Sequence, residues 1–125
     1  MPPHILIVDD DAATREAVGM LLRAEGYAVS EAADGREAVL RLRADGPHRV
    51  VLLDLMMPVM DGWQFLEARK RDPELARSPV VLFSAVGNIH LAAVRALGAD
   101  DAIQKPVAAE DLLGAIRRYC GPPTT

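Results

Sequence analysis

The 125-residue sequence has one cysteine, 4% aromatic residues and no long apolar run. Each shortage excludes something. Cys120 has no partner for an internal disulfide and cannot build a zinc cluster alone, so a reducing, cytoplasmic compartment is expected. Its place before Gly121-Pro122-Pro123 reads as an inert or exposed thiol rather than a nucleophile. No apolar stretch approaches the roughly 20 residues of a membrane span. The longest are broken by Asp54, Asp61 or Arg95, so no membrane partner is expected. Basic residues are not in excess: 14 Lys and Arg stand against 18 Asp and Glu, for a net charge of −4. That balance excludes a broad basic footprint, and direct nucleic-acid binding is not expected. The opening Met1-Pro2-Pro3-His4 lacks the basic and apolar regions of a signal peptide.

What is present suits one soluble globule. Half the residues are hydrophobic and 26% are charged. A chain this long buries about two-thirds of its unfolded surface and needs no disulfide or structural metal to fold. There is no internal repeat, low-complexity segment or linker. A single domain over residues 1–125 is expected, with a core over about 4–119 and short tails.

Apolar runs and amphipathic stretches alternate along it. Residues 5–8, 50–53 and 80–83 are wholly apolar, as strands buried on both faces are. Residues 27–32 and 102–104 are short and mixed, as edge strands are. Helices are predicted over 12–25, from Asp34-Gly35 to Gly46-Pro47, and over 63–71, 89–97 and 109–119. Asp11 and Asp34 stand where N-caps belong, Glu37 completes a capping-box pattern, and Gly26 and Gly98 stand where helices end. The expected inward faces are Ala13, Ala17, Met20, Leu21 and Ala24 on the first helix, then Ala38, Val39 and Leu42 on the second. On the third they are Trp63, Phe65 and Leu66, and on the last Leu112, Leu113 and Ile116. Five strand–helix units imply a parallel sheet covered on both faces. With the mixed strands at the edges and right-handed crossovers, the order is 2-1-3-4-5, a doubly wound, flavodoxin-like α/β fold.

In such a sheet ligands bind beyond the carboxyl ends of the strands, at the switch point between the first and third. The first strand ends in Asp9-Asp10-Asp11, the third in Asp54, the fourth in Ser84 and the fifth in Lys105. Three or more carboxylates cannot share a small site fully ionised, so either one pKa is raised or a cation sits there. An all-oxygen donor set suits Mg²⁺ better than zinc. A cation would let the site accept a phosphoryl group, with Lys105 serving it by charge, Ser84 by a hydrogen bond and Asp54 as covalent acceptor. Blander readings exist for each residue alone. Helix capping needs only one aspartate of the three, and Lys105 precedes a proline that could simply start a helix. Their convergence at the ends of four strands favours a site. His4, His48 and His90 show no metal spacing and read as surface or packing residues. Met56, Met57 and Met60 read as an apolar rim loop and a possible partner surface. Arg69-Lys70-Arg71 reads as a solvated helix end.

The motifs ILIVDDD at 5–11, VVLLDLMMPVMDG at 50–62, VLFSA at 81–85, GADD at 98–101 and IQKP at 103–106 together resemble the receiver domains of two-component response regulators, the CheY-like superfamily. The resemblance covers about residues 4–119. It implies a phospho-accepting signalling switch rather than an enzyme, with at most self-catalysed phosphorylation and dephosphorylation. Asp54 would take a phosphoryl group from a sensor histidine kinase or phosphotransfer protein. Mg²⁺ would be held by Asp9, Asp10, Asp54 and the backbone carbonyl of Met56. Ser84 and Lys105 would bind the phosphoryl oxygens, and the Lys105–Pro106 bond would be cis. The output would be a changed surface for a downstream protein, from a monomer or weak dimer with no output domain in this chain. Both a stand-alone regulator and a receiver cut from a longer protein fit.

There is one departure. The family usually carries an aromatic residue three positions before the lysine, and here that position is Ala102. Half of the usual conformational relay is then missing. Apolar Met56 and Val86 fall where relatives gate water, which implies slow hydrolysis. The alternatives are a docking receiver that is never phosphorylated and, on the same fold, a Mg²⁺-dependent phosphohydrolase. The second lacks its proton donor, because Leu55-Met56 follow Asp54. A flavodoxin is disfavoured, because Asp9-Asp10-Asp11 would repel the flavin phosphate.

Overall fold

The structure, a computed structural model, describes residues 4–48, 50–84 and 95–121. Its elements run β1 (His4–Val8), α1 (Ala12–Ala24), β2 (Ala28–Ala32), α2 (Gly35–Asp45), β3 (Val50–Leu53), α3 (Gly62–Arg71), a 3₁₀ turn (Leu75–Arg77), β4 (Val80–Ser84), β5 (Asp101–Gln104) and α4 (Ala109–Cys120). All strand pairs are parallel, in the order β2-β1-β3-β4-β5. This is the order the strand compositions predict. β3 and β4 are buried at every position and β1 at all but His4, whereas β2 and β5 are mostly half-exposed. The predicted helix over 89–97 lies largely outside the described residues, as does Val86. Its end is seen, where Gly98 adopts φ +97° and donates to the Arg95 carbonyl.

The sheet separates two apolar cores. Alternate residues Leu6, Val8, Val51, Leu53, Val80 and Leu82 pack against Ala38 and Leu42 of α2 and Phe65 and Leu66 of α3. The intervening Ile5, Ile7, Val50, Leu52, Val81 and Phe83 pack against Val18 and Leu22 of α1 and Leu112, Leu113 and Ile116 of α4. The period-2 alternation thus sends each strand's side chains to opposite layers, and both layers are apolar.

Two helix faces differ from expectation. On α1 the buried residues are Val18, Gly19 and Leu22, with Leu21 half-buried and Met20 64% exposed. Alanines bury little apolar surface, and the helix instead packs its branched Val18 and Leu22, one turn apart, into the core with Ile5 and Ile7. On α3, Trp63 is 44% exposed. The capping box between Asp61 and Gln64 starts the helix at Gly62, which turns Gly62, Phe65 and Leu66 to the sheet and leaves Trp63 flanking them. Cys120 is buried. Ala102 is half-buried against the α2–α3 core and pairs in register with Leu82.

Candidate functional site

The strand register brings the predicted residues to one rim. Val8 pairs with Leu53, so Asp9 and Asp54 leave their strands side by side. Their backbones continue the ladder one residue further. The Asp54 N–H donates to Val8 O at 2.9 Å and the Asp9 N–H to Ala32 O at 3.1 Å. Ser84 pairs with Gln104, and the Lys105 N–H donates to Ser84 O at 2.8 Å, which carries Lys105 onto the same rim.

The three consecutive aspartates divide their work. Asp11 is the N-cap of α1, accepting from Ala13 N at 3.2 Å and from the Thr14 hydroxyl at 2.7 Å. The Thr14 hydroxyl holds its carboxyl below the ordinary aspartate value. Asp9 and Asp10 join Asp54 instead, each offering a carboxylate oxygen within 4.8 Å of the others. Asp9 and Asp54 are buried and Asp10 is exposed. The Asp9 carboxylate accepts from the Asp11 N–H at 2.9 Å and from Lys105 Nζ at 2.6 Å. Lys105 Nζ is 3.9 Å from Asp54 Oδ2 and 5.0 Å from the centre of the Phe83 ring. Asp54 Oδ1 accepts from the Met56 N–H at 3.4 Å, while the Met56 side chain is exposed.

Burial pushes the Asp54 carboxyl above its ordinary value. The Lys105 ammonium and the Met56 N–H pull it down, and the Asp9 and Asp10 charges add to the rise. Crowded carboxylates of this kind gain most from a cation between them. Three carboxylates within 4.8 Å of one another, one open to water and, among the described residues, grouped with no cysteine or histidine, suit a hard divalent ion such as Mg²⁺. Ser84 is fully buried beneath the rim, and the Lys105–Pro106 bond is cis, as the resemblance implied.

Two supports were not apparent in the sequence. Gly62 donates to Leu55 O at 3.0 Å, and a Cβ there would sit 2.6 Å from Asp54 O and 2.8 Å from Leu55 Cα. Only glycine lets α3 start against the backbone that carries Asp54. Arg15 donates from Nη1 to the Asp9 carbonyl at 2.6 Å. Its spacing from Asp11 was the available signal, since one helical turn brings a long side chain back over the cap. An apolar groove of about 440 Å³, lined by residues including Ala17, Leu21, Phe83 and Val107, opens beside Lys105.

A doubly wound sheet with an acidic pocket at its carboxyl edge defines the class of fold, flavodoxin-like and CheY-like. Within that class, the model of the response regulator receiver domain matches residues 5–117, and the chain belongs to that family of two-component signalling domains. It is 41% identical over 120 residues to the response regulator MprA of Mycolicibacterium vanbaalenii, covering 94% of this chain and 50% of that protein. It is 32% identical over 116 residues to the protein PilG of Pseudomonas aeruginosa, covering 92% of this chain and 85% of that one. The chain thus spans half the length of MprA and most of that of PilG. The structure of the chemotaxis response regulator CheY4 of Vibrio cholerae superposes with a TM-score of 0.84 at 30% identity, covering 95% of this chain and 99% of that one. Among the described residues, no helix is long and apolar enough to cross a membrane.

Proposed function

We propose that Asp54 is the phospho-acceptor of a signalling switch. The observation that carries this reading is the Asp54 carboxylate, lying within 4.8 Å of those of Asp9 and Asp10 and 3.9 Å from Lys105 at the sheet's carboxyl edge. An Asp54 oxygen attacks the phosphorus of a phosphohistidine in line. The P–O bond forms, the P–N bond breaks, and the donor imidazole leaves with the electron pair. Asp9, Asp10, Asp54 and the Met56 carbonyl would hold Mg²⁺, which would neutralise charge at the acceptor. Lys105 and Ser84 take phosphoryl oxygens. The donor is a sensor histidine kinase or a phosphotransfer protein, approaching over the open rim, where the apolar groove beside Lys105 offers it a seat.

Intact-mass spectrometry after incubation with acetyl phosphate tests this. One phosphoryl adduct is expected, dependent on Mg²⁺ and absent in Asp54→Asn. An adduct that survives Asp54→Asn, or no adduct with Mg²⁺ present, would contradict it.

A further inference from the structure

The Asp9–Asp10 peptide is gripped from outside the acidic pocket. Arg15 follows the cap of α1 by one turn, its N–H donating to Asp11 O at 3.1 Å. Its side chain runs back to the Asp9 carbonyl, 2.6 Å from Nη1. On its other side, Nε lies 3.3 Å from Glu31 Oε1 on β2, and Arg23 adds a 3.7 Å contact to the same carboxylate. Arg15 is the more enclosed of the two arginines, with 19% of its side chain exposed against 51% for Arg23.

A charge-assisted hydrogen bond to a carbonyl fixes the plane of that peptide. The peptide is planar, so its orientation sets the direction in which the next residue leaves the chain. Here the next residue is Asp10. The Asp9 carboxylate has its own anchors in the Asp11 N–H and Lys105. Asp10 is exposed, and its place within reach of Asp9 and Asp54 depends on the backbone that carries it.

We infer that Arg15, held by Glu31, is a positioning residue for the divalent cation, setting the Asp9–Asp10 peptide so that both carboxylates face Asp54. This rests on the reading of the pocket as a Mg²⁺ site. Charge and position predict opposite signs. A guanidinium near the acidic pair repels a cation, so on Coulomb grounds alone its removal tightens Mg²⁺ binding. Loss of positioning weakens it.

Calorimetric titration of MgCl₂ into wild type, Arg15→Gln and Arg15→Lys decides between them, with thermal unfolding of each protein in EDTA alongside. Arg15→Gln is expected to bind Mg²⁺ about tenfold more weakly, as when a group that orients a metal ligand is removed. Arg15→Lys keeps the charge and loses the fork, and it should bind between the two. If Arg15→Gln fails to fold, weaker binding by Arg15→Lys carries the test alone. Unchanged or tighter binding in a folded variant overturns the inference, and so does a lower melting temperature in EDTA with an unaltered Kd, which marks a merely structural role. If wild type takes up no Mg²⁺, the reading of the pocket falls and the inference with it. If wild type and Arg15→Gln bind alike, only the inference falls.

Discussion

Val59 is the one non-glycine residue with positive φ among the described residues, at +66°, in the loop between Asp54 and α3. A β-branched side chain in the left-handed region crowds its own backbone, at a cost of about 1–2 kcal/mol. Val59 is 73% exposed, so no packing offsets that cost. Val59→Asn should therefore raise stability by about 1 kcal/mol in urea titration, because asparagine tolerates that region. His48 makes the opposite demand. It is 3% exposed, its Nδ1 lies 3.1 Å from Gly46 O, and its Nε2 is the one buried side-chain nitrogen or oxygen without a partner among the described residues. The His4 ring lies 4.3 Å away, and Asp45 and Arg41 of α2 face it. Burial holds the His48 imidazole below its ordinary value. The unfolded chain then takes up a proton where the folded chain does not. Stability is full above the unfolded pKa of about 6.5 and falls as the pH drops from there toward the lower folded value. Urea titrations across that window should show this slope in wild type and its loss in His48→Asn. The acidic residues and Lys105 were legible in the sequence because each ends a recognisable strand. Val59, Gly62 and Arg15 were not, because their roles depend on where the backbone passes rather than on residue type.

At the scale of elements, the caps were the most legible feature. Asp11 and Asp34, expected as caps, each accept from a backbone N–H of the first turn, and Asp61, not expected as one, does the same for α3. A cap is a local bond that residue type and spacing disclose. The buried face of α1 was not legible, because a helix with scattered alanines has no single apolar stripe until the sheet selects one. Links between distant elements left no sequence signal. Arg69, expected as part of a solvated helix end, has only 13% of its side chain exposed. It donates to Ser78 O at 3.0 and 3.2 Å and to Gly98 O at 2.6 Å, and it pairs with Asp100. One guanidinium thus ties α3 to the approach to β4 and to the chain entering β5. Arg69→Ala should cost about 2–3 kcal/mol by chemical denaturation, since both carbonyls lose a charged donor. Arg69→Lys should recover little, because a single ammonium cannot span both.

For the whole molecule, the arrangement of strands follows from composition. Three wholly apolar strands need cover on both faces, and two mixed strands tolerate an edge. The layout in turn places Asp9, Asp54, Ser84 and Lys105 on one rim, so the outline of the site was legible with the fold. A cation that binds only the folded chain must also stabilise it. At tenfold over its Kd, Mg²⁺ should add about 1.4 kcal/mol, visible as a rise of roughly 5 °C in melting temperature. Asp10→Asn should lose that rise, and in EDTA it should melt no lower than wild type, because Asp10 is exposed and its charge only crowds Asp54 when no cation is bound. The most direct measurement is where the phosphoryl group attaches. Reduction of the acetyl-phosphate-treated protein with borohydride converts an aspartyl phosphate to homoserine, and peptide mapping then locates it. Homoserine at position 54 alone is the predicted result. Homoserine at another aspartate, or at none in a sample whose intact mass shows the adduct, would contradict it.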